Sequence, residues 1–241
     1  MAEPTHGPSL QPTHAVLACV FRVRERRLHV LLWQRAREPH AGRWSLPGGR
    51  LDRPEPLEQT MRRHLAMKVD VRELSWLEQL ATLSEPDRHP ERWELATAYL
   101  GLVPSDVEPS LPADTRWHPV DRLPPTAFDH GRIIVEARER LRAKLSYTNL
   151  GFALAPREFT IAELAEHYSA ALGYRVSQTN LRRVLERRHA IEPTGAMRPP
   201  GPGGGRPASL WRFASRSLAV TDPFAVFRPP HRSAPQTGKV S

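Results

Sequence analysis

The stretch LPGGRLDRPEPLEQTMRRHLAMKVDV, Leu46 to Val71, determines how the rest of the chain is interpreted. A glycine pair, Gly48 and Gly49, predicts a tight turn from a strand into a loop. From about Pro56 the apolar residues follow helical spacing and form one face. The residues of that face are Leu57, Met61 and Leu65. Taken alone, the stretch equally fits an ordinary amphipathic surface helix after a strand and a loop.

The same stretch resembles the Nudix box, whose family pattern is glycine, five residues, glutamate, seven residues and then Arg-Glu-apolar-x-Glu-Glu-x-Gly-apolar. The positions that match are Gly49, Glu55, Arg63, Leu65 and Val71. The three glutamates that bind metal in the family are replaced, and so is the late glycine. Their positions are occupied by His64, Met67, Lys68 and Asp70. The loop-and-helix pattern is therefore retained, whereas the carboxylates are lost.

The replaced positions are expected to share one helical face, because residues 64, 67 and 68 are three and four residues apart. Three carboxylates there would hold a hard cation such as Mg²⁺ and activate water at a diphosphate. A thioether is a soft ligand, and a lysine repels a cation. The sequence thus predicts no metal, no other cofactor and no catalytic residue, so we expect that this domain is not an enzyme.

Segments on both sides extend the resemblance. Two strands are predicted upstream, at His14–Val23 and Leu28–Arg35, and further segments follow at Leu77–Pro104 and Trp117–Ile134. In order and spacing they resemble the Nudix half of the NrtR group, the Nudix-related transcriptional regulators of NAD metabolism, and the match runs to about Phe213. The resemblance implies an α+β fold: a Nudix-like α/β/α sandwich with a mixed sheet, followed by a winged helix-turn-helix domain.

The resemblance also implies a function. It predicts a cytoplasmic, DNA-binding repressor of genes for NAD synthesis or salvage, whose Nudix-like domain senses ADP-ribose or another NAD-derived nucleotide. It predicts a homodimer on a palindromic double-stranded DNA operator, since two winged helices related by a two-fold axis would contact two half-sites. The alternative is an active Nudix hydrolase of ADP-ribose or a related diphosphate. Its metal ligands would come from Glu55, Glu58, Glu78, Glu91 and Glu94.

Length and composition agree with two domains. The 241 residues suffice for one sizeable core and a smaller one. The single cysteine, Cys19, lies in an apolar run, which excludes an intrachain disulfide framework, fits a reducing cytoplasm and predicts a buried thiol. No apolar run approaches the roughly 20 residues of a membrane helix, and the N-terminus lacks the apolar core of a signal peptide.

Charge is unevenly distributed along the chain. Residues 1–150 contain 22 Lys and Arg against 20 Asp and Glu, whereas residues 151–241 contain 13 against 6. Three of the later cations lie near the C-terminus (Arg228, Arg232 and Lys239), and the excess persists without them. Such an excess indicates a nucleic-acid partner. An RNA-binding adaptor would need exposed aromatic residues interleaved with the basic ones, a pattern that this chain does not show.

Helix and turn signals predict the domain boundaries. A helix from about Gly131 to Lys144, with Asp129 as its N-cap, is expected to end the first domain. The interrupted pattern before Pro156 then indicates a linker. The predicted division is a disordered arm at 1–13, a Nudix-like domain at 14–145, a linker at 146–156, a winged helix at 157–213 and a basic, proline-rich tail at 214–241.

The second domain is predicted to bind DNA. A capping box of Thr160 and Glu163 opens one helix, Ser177 caps a second, and a wing with Trp211 and Phe213 in the core follows. In helix-turn-helix domains the second helix enters the major groove with its first residues at the base edges. The candidates for base contacts are Gln178, Thr179 and Asn180, and those for groove or phosphate contacts are Arg182, Arg183, Arg187, Arg198 and Arg206.

In the first domain, the candidates for nucleotide binding are the cations near the box. They are Arg35, Arg43, Arg50, Arg53 and Lys68. Positive charge from these side chains would replace the charge that Mg²⁺ supplies to a diphosphate. The alternative for each is an ordinary surface cation.

Overall fold

The structure of the protein, a computed structural model, describes residues 11–200 and 207–222. Residues 1–10 of the predicted arm, residues 223–241 of the predicted tail and the candidate Arg206 lie outside the described residues. Within the described part of the chain, none of the helices is long and apolar enough to cross a lipid bilayer.

The first domain is built on a seven-stranded mixed sheet. Its strands are β1 (Thr13–Arg24), β2 (Arg27–Gln34), β3 (Trp44–Ser45), β4 (Gly48–Arg50), β5 (Trp76–Leu83), β6 (Glu94–Leu102) and β7 (Thr115–Pro119). Its helices are α1 (Leu57–Val69) and α2 (His130–Tyr147). The strand order is β3-β2-β1-β6-β5, with β4 paired to β1 and β7 to β2. β1 runs antiparallel to β2 and β4 and parallel to β6.

β1 occupies the centre of the sheet because it is apolar on both faces. One face carries Val16, Ala18 and Val20, and the other carries Leu17, Cys19 and Phe21. The first face packs with Met61 and Leu65 of α1, and the second belongs to the same core as Ile133 and Ala137 of α2. The predicted sandwich is therefore confirmed. The buried Cys19 is also confirmed, and burial raises the pKa of its thiol well above the usual value.

Asp129 occupies the predicted N-cap position of α2, but its side chain does not cap the helix. Its side chain makes no hydrogen bond to the first turn of the helix. The carboxylate instead accepts two hydrogen bonds from Arg88, at 2.9 and 3.2 Å. The position is therefore as predicted, and the side chain turns away because a nearly buried guanidinium satisfies a carboxylate better than helical N–H groups do.

His130 anchors the start of α2 in place of a capping side chain. The backbone N–H of Leu46 donates to Nδ1 of His130 at 3.0 Å. Burial, with smaller contributions from Arg88, Arg35 and His40, lowers the pKa of His130 to about 3. The neutral ring can therefore act as an acceptor, and it ties α2 to the strand segment just before the box.

Gly48 and Gly49 serve a different purpose from the one predicted. Both lie in β4, and neither has a positive φ. A Cβ atom on Gly48 would lie 2.0 Å from the carbonyl oxygen of Val16, and one on Gly49 would lie 2.4 Å from the ring of His64. The prediction of a tight glycine turn is wrong, because these positions require glycine for the close approach of β4 to β1 and α1.

The second domain is a winged helix, as predicted. Its elements are α3 (Ile161–Leu172), α4 (Gln178–Arg187), β8 (Ile191–Arg198) and β9 (Ala208–Phe213). Thr160 and Glu163 form the predicted capping box, and the Ser177 hydroxyl caps α4 by accepting from a backbone N–H. Trp211 and Phe213 are buried in the core, which confirms the sequence interpretation.

The predicted linker is a packed connector. It contains a 3-10 helix, Leu150–Ala153, and residues 148–155 are buried. Asn149 donates from its side-chain amide to the carbonyls of Ser215 and Ser217 and accepts from the backbone N–H of Ala219. The chain that follows the wing thus returns to the connection between the domains and holds it.

We expect Gly48→Ala to lower the free energy of unfolding by about 2 to 3 kcal/mol or more, because the added methyl group meets backbone in the central sheet. The matched control is Gly101→Ala in β6, where the nearest atoms to a new Cβ are side-chain carbons at 3.4 Å. Urea titrations of both variants measure the difference. Equal destabilisation of the two variants would contradict this account of Gly48.

Candidate functional site

Two charged residues of the box pattern, Glu55 and Arg63, bind each other. Arg63 donates from Nε to Glu55 at 2.9 Å and from Nη2 to Asp52 at 2.7 Å. The hydrogen bond from Arg63 holds the pKa of Glu55 below its usual value. Arg53 also contacts the Glu55 carboxylate, at 3.4 Å. Glu55 therefore holds the loop against α1. Its carboxylate is bound by arginines, whereas the hydrolase alternative needs it as a metal ligand.

The three replaced metal positions diverge in the structure. His64 is buried, and its Nε2 lies 3.1 Å from the carbonyl oxygen of Arg50. Lys68 donates from Nζ to the carbonyl oxygen of Gly48 at 2.7 Å. Met67, in contrast, is 74% exposed. All three positions lie on α1 at the predicted spacing, but only His64 and Lys68 have polar partners on β4, whereas the Met67 side chain extends into solvent.

These side chains do not fit the divalent cation that the Nudix pattern implies. The Lys68 ammonium occupies the space beside the Gly48 carbonyl, and its charge opposes that of a metal ion. In residues 11–200 and 207–222, no group of three or more His, Cys, Asp or Glu side chains is arranged to hold a metal ion. The box keeps its backbone shape while presenting a fixed positive charge.

Two of the five cations predicted to bind nucleotide, Lys68 and Arg35, lie near each other. Burial, followed by repulsion from Arg35, lowers the pKa of Lys68. The Lys68 ammonium is 5.6 Å from the centre of the Trp33 ring. The Arg35 guanidinium lies 4.8 Å from the centre of the Phe128 ring, and its Nε donates to the carbonyl oxygen of Pro39 at 2.9 Å. Cationic and aromatic groups thus alternate along this surface.

The other three predicted cations have separate partners. Arg50 lies 3.4 Å from the Glu94 carboxylate, and Arg53 pairs with Glu55. Arg43 reaches the carbonyl oxygen of Thr126 only at 3.5 Å. Lys68 and Arg35 are consequently the stronger candidates for a nucleotide site.

A cluster around Glu94 joins one predicted nucleotide-binding cation, Arg50, to two arginines that were not predicted, Arg88 and Arg92. This buried carboxylate is approached by Arg50 at 3.4 Å, Arg88 at 3.7 Å and Arg92 at 2.9 Å. Arg92 also belongs to the surroundings of Arg35, since its charge contributes, after burial, to the lowered pKa of that residue. The sequence signal for Arg88 and Arg92 was the charged run DRHPERWE within the Leu77–Pro104 segment. Several guanidinium groups here share few carboxylates, so the region favours an anionic ligand.

A cavity of about 520 Å³ adjoins this cluster. Arg88, Asp129, His40 and Phe128 contribute to its walls. The Phe128 ring stacks on His89 at 5.1 Å and meets the edge of His40 at 4.8 Å. The volume falls in the usual range of about 300 to 1,000 Å³ for small-molecule sites. Aromatic walls beside arginines suit a planar ring attached to an anionic group.

The exposed side of α4 carries the predicted DNA-contacting residues. Gln178, Thr179 and Asn180 are exposed at its first turn, as are Arg182, Arg183 and Arg187 farther along. The Arg182 guanidinium lies 4.8 Å from the centre of the Trp211 ring and pairs with Glu186 at 3.1 Å. Arg183 donates to the Asn180 side chain at 2.9 Å. The helix therefore presents polar groups at its start and cations along its length.

The wing candidate Arg198 is engaged with the capping box. Its guanidinium forms an ion pair with Glu163, whose carboxylate also accepts from the backbone N–H of Thr160 at 2.8 Å. β8 and β9 form the antiparallel pair of the wing. The structure thus links one predicted DNA-contacting cation to the start of α3.

Comparison with known proteins matches both domains of the chain. The profile of the NUDIX domain matches residues 12–137. The profile of the NrtR DNA-binding winged helix domain matches residues 151–213.

Full-length relatives share the same architecture. The chain is 29% identical over 229 residues to the ADPR responsive transcriptional repressor NtrR of Acinetobacter baylyi, covering 91% of this chain and 89% of that protein. It is 34% identical to Shewanella oneidensis NrtR in a crystal structure with a 27mer DNA, with a TM-score of 0.70 over 83% of this chain and 92% of that one. A MutT/nudix family protein from Enterococcus faecalis, 23% identical, has the same fold with a TM-score of 0.70 over 85% of this chain and 89% of that one.

Two features of this chain indicate the same family. One is a Nudix-like sandwich whose box lacks the metal-binding glutamates, and the other is a winged helix whose second helix exposes polar and cationic residues. Both domain profiles and the order of the domains match. The chain belongs to the NrtR family of Nudix-related transcriptional regulators.

Proposed function

We propose that this protein is a DNA-binding transcriptional repressor of genes for NAD synthesis or salvage, and that its Nudix-like domain senses ADP-ribose or another NAD-derived nucleotide without hydrolysing it. The observation that carries the proposal is the Lys68 ammonium on the Gly48 carbonyl, at 2.7 Å, in a box joined to a winged helix. The names of the relatives from Acinetobacter baylyi and Shewanella oneidensis support the same function.

The nucleotide is proposed to bind along the surface from Lys68 past Arg35 to Phe128. Lys68 and Arg35 would contact the diphosphate, since two fixed cations can offset its charge without a metal ion. The adjoining cavity beside Phe128 and Arg88 would take a planar ring. Because Mg²⁺ activates water as well as binding phosphate, cations that replace it leave the diphosphate intact. The ligand therefore persists as a signal.

The DNA ligand is proposed to be a palindromic operator bound by a homodimer. The first turn of α4, with Gln178, Thr179 and Asn180, would contact base edges, while Arg182 and Arg183 would contact phosphates. Two copies related by a two-fold axis place two such helices on two half-sites. The direct test is to sequence the genomic DNA that the purified full chain retains, with and without ADP-ribose. Recovery of unrelated sequences under both conditions would reject the proposal.

Purified protein with Mg²⁺ or Mn²⁺ is expected to release no AMP from ADP-ribose above the level of buffer and metal alone. The physical reason is that α1 offers no carboxylate face to bind the metal and activate water. Chromatography of the reaction products measures the rate. A turnover of even about 1 s⁻¹, ordinary for an enzyme, that disappears in Glu55→Gln would establish the hydrolase alternative.

Removing charge from α4 is expected to weaken operator binding. Arg182→Ala or Arg183→Ala should each reduce the slope of log affinity against log salt by about one unit if the side chain meets a phosphate. Gln178→Ala and Asn180→Ala should instead change the sequence preference by about 1 to 3 kcal/mol per lost base contact. Fluorescence anisotropy across a salt series measures both quantities.

Arg72→Ala is the matched control for these variants, because it removes one positive charge from the first domain, at an exposed residue paired with Asp70. It should bind the operator like the parent protein. If the four α4 variants also bind like the parent at every salt concentration, α4 does not contact the operator.

The two functions are proposed to be coupled through α2. Its start is tied to the nucleotide region by Asp129 and Arg88, at 2.9 Å. At its far end, Arg188, which follows α4, donates to the carbonyl oxygen of Ser146 at 2.9 Å. An 18-residue helix is about 27 Å long. Motion at the nucleotide end can therefore reach the base of the DNA-contacting helix through one rigid element.

ADP-ribose is expected to lower operator affinity, and operator DNA to lower ADP-ribose affinity by the same factor, commonly 5- to 150-fold or about 1 to 3 kcal/mol. Arg188→Gln should reduce that factor while leaving each separate affinity within about threefold of the parent. Calorimetry with and without saturating operator measures the factor. Nucleotide binding of equal strength in both titrations of the parent protein would disprove the coupling.

A further inference from the structure

A groove of about 1230 Å³ lies between the two domains. One wall comes from the turn between β1 and β2 and from the second half of α2. The other comes from α3, the turn after it and the first residues of α4. Because Ser177, Gln178 and Thr179 line the groove, an occupant would lie directly beside whatever α4 contacts.

The groove carries more positive than negative charge. Five arginines line it, namely Arg26, Arg27, Arg138, Arg142 and Arg175, against the carboxylates of Asp121 and Glu166. The carboxylates are already paired, Asp121 with Arg27 at 2.6 Å and Glu166 with Arg26. The other three arginines, Arg138, Arg142 and Arg175, therefore determine the charge of the groove surface that a ligand would contact.

Arg138 and Arg142 lie one helical turn apart on α2 and share a single carboxylate. Arg138 is 3.3 Å and Arg142 is 2.9 Å from the same oxygen of Glu139. The Arg142 guanidinium reaches the turn of the second domain, since a Cβ on Gly173 would lie 2.4 Å from its Nη2. Two guanidinium groups of the first domain thus face the helix-turn-helix unit with one negative charge between them.

We propose that this groove binds the DNA phosphate backbone next to the bases contacted by α4, so that Arg138 and Arg142 of the Nudix-like domain contribute directly to operator affinity. The inference rests on the proposed DNA-binding function and extends the contact surface beyond the winged helix. Charge complementarity and continuity with the start of α4 support it.

A backbone fits this groove better than a free nucleotide does. The volume exceeds the usual range of about 300 to 1,000 Å³ for small-molecule sites. The one aromatic residue among those lining the groove, Tyr174, is 64% exposed and offers no enclosed slot for a base. Phosphate groups need only cations and donors along an open surface, which Arg142, Arg175 and the first turn of α4 provide.

The test compares two double variants of the full chain on the DNA fragment selected by the parent protein, with flanking sequence retained on both sides. Arg138→Gln/Arg142→Gln removes the two charges from the groove. Arg72→Gln/Arg116→Gln removes two charges from exposed positions of the same domain outside it. Thermal unfolding and ADP-ribose titration check that each variant keeps its fold and its nucleotide site.

The groove variant should bind roughly tenfold or more weakly at about 0.15 M salt, and its salt slope should fall by about 1.8, the value for two lost phosphate contacts. The control should match the parent in both quantities. Weaker binding with an unchanged slope would overturn the inference, because it would indicate altered domain arrangement rather than lost phosphate contacts.

Failure of this inference is distinguishable from failure of the proposed function. If the α4 variants lose affinity while the groove variant binds like the parent, the protein binds DNA through the winged helix alone and the groove proposal is rejected. If the parent protein selects no DNA, the proposed function itself fails.

Discussion

The arrangement of the first domain depends on β1, a strand buried on both faces. Its two apolar faces require a helix on each side of the sheet, and α1 and α2 supply them. Its pairing with β4 brings the Val16 carbonyl so near Gly48 that no side chain fits between the two strands. The close pairing of β4 with β1 therefore fixes the position of the loop that follows β4. The loop leads into α1, whose residues His64 and Lys68 contact the β4 backbone.

In this arrangement, the box keeps the loop-and-helix shape, but Lys68 places a positive charge where the Nudix pattern has a negative one. The Glu55–Arg63 pair joins the loop to α1. Lys68 then donates to the Gly48 carbonyl, and His64 packs against Gly49. A fixed ammonium attracts a diphosphate as a metal ion does, but it has no coordination site at which water could lose a proton. Retained shape with reversed charge is what binding without turnover requires.

The sequence predicted elements whose signals are local. The capping box of Thr160, the Ser177 cap and the two-sided apolar pattern of β1 each depend on neighbours within a few residues. The Arg88–Asp129 pair joins residues 41 positions apart, and no local pattern reveals it. Asp129 shows the consequence, since it occupies the predicted N-cap position while its carboxylate binds a distant guanidinium instead of the helix. The candidate nucleotide-binding cations could be proposed only by proximity to the box, and the Glu94 cluster forms only when β6 adds to the sheet.

α2 is the element in which these separate features meet. Its first residues border the cavity beside Phe128, Arg138 and Arg142 on its second half face the interdomain groove, and its last turn accepts the hydrogen bond from Arg188. A nucleotide can change DNA affinity only by favouring one domain arrangement over another. Polar contacts also link α3 to the first domain, among them the Arg26–Glu166 ion pair and a 2.8 Å hydrogen bond between His167 and Ser105. Apolar packing also joins the two helices, since Leu164 and Tyr168 of α3 belong to the same core as Leu141 of α2, so a ligand that displaces α2 acts on the second domain through direct contact.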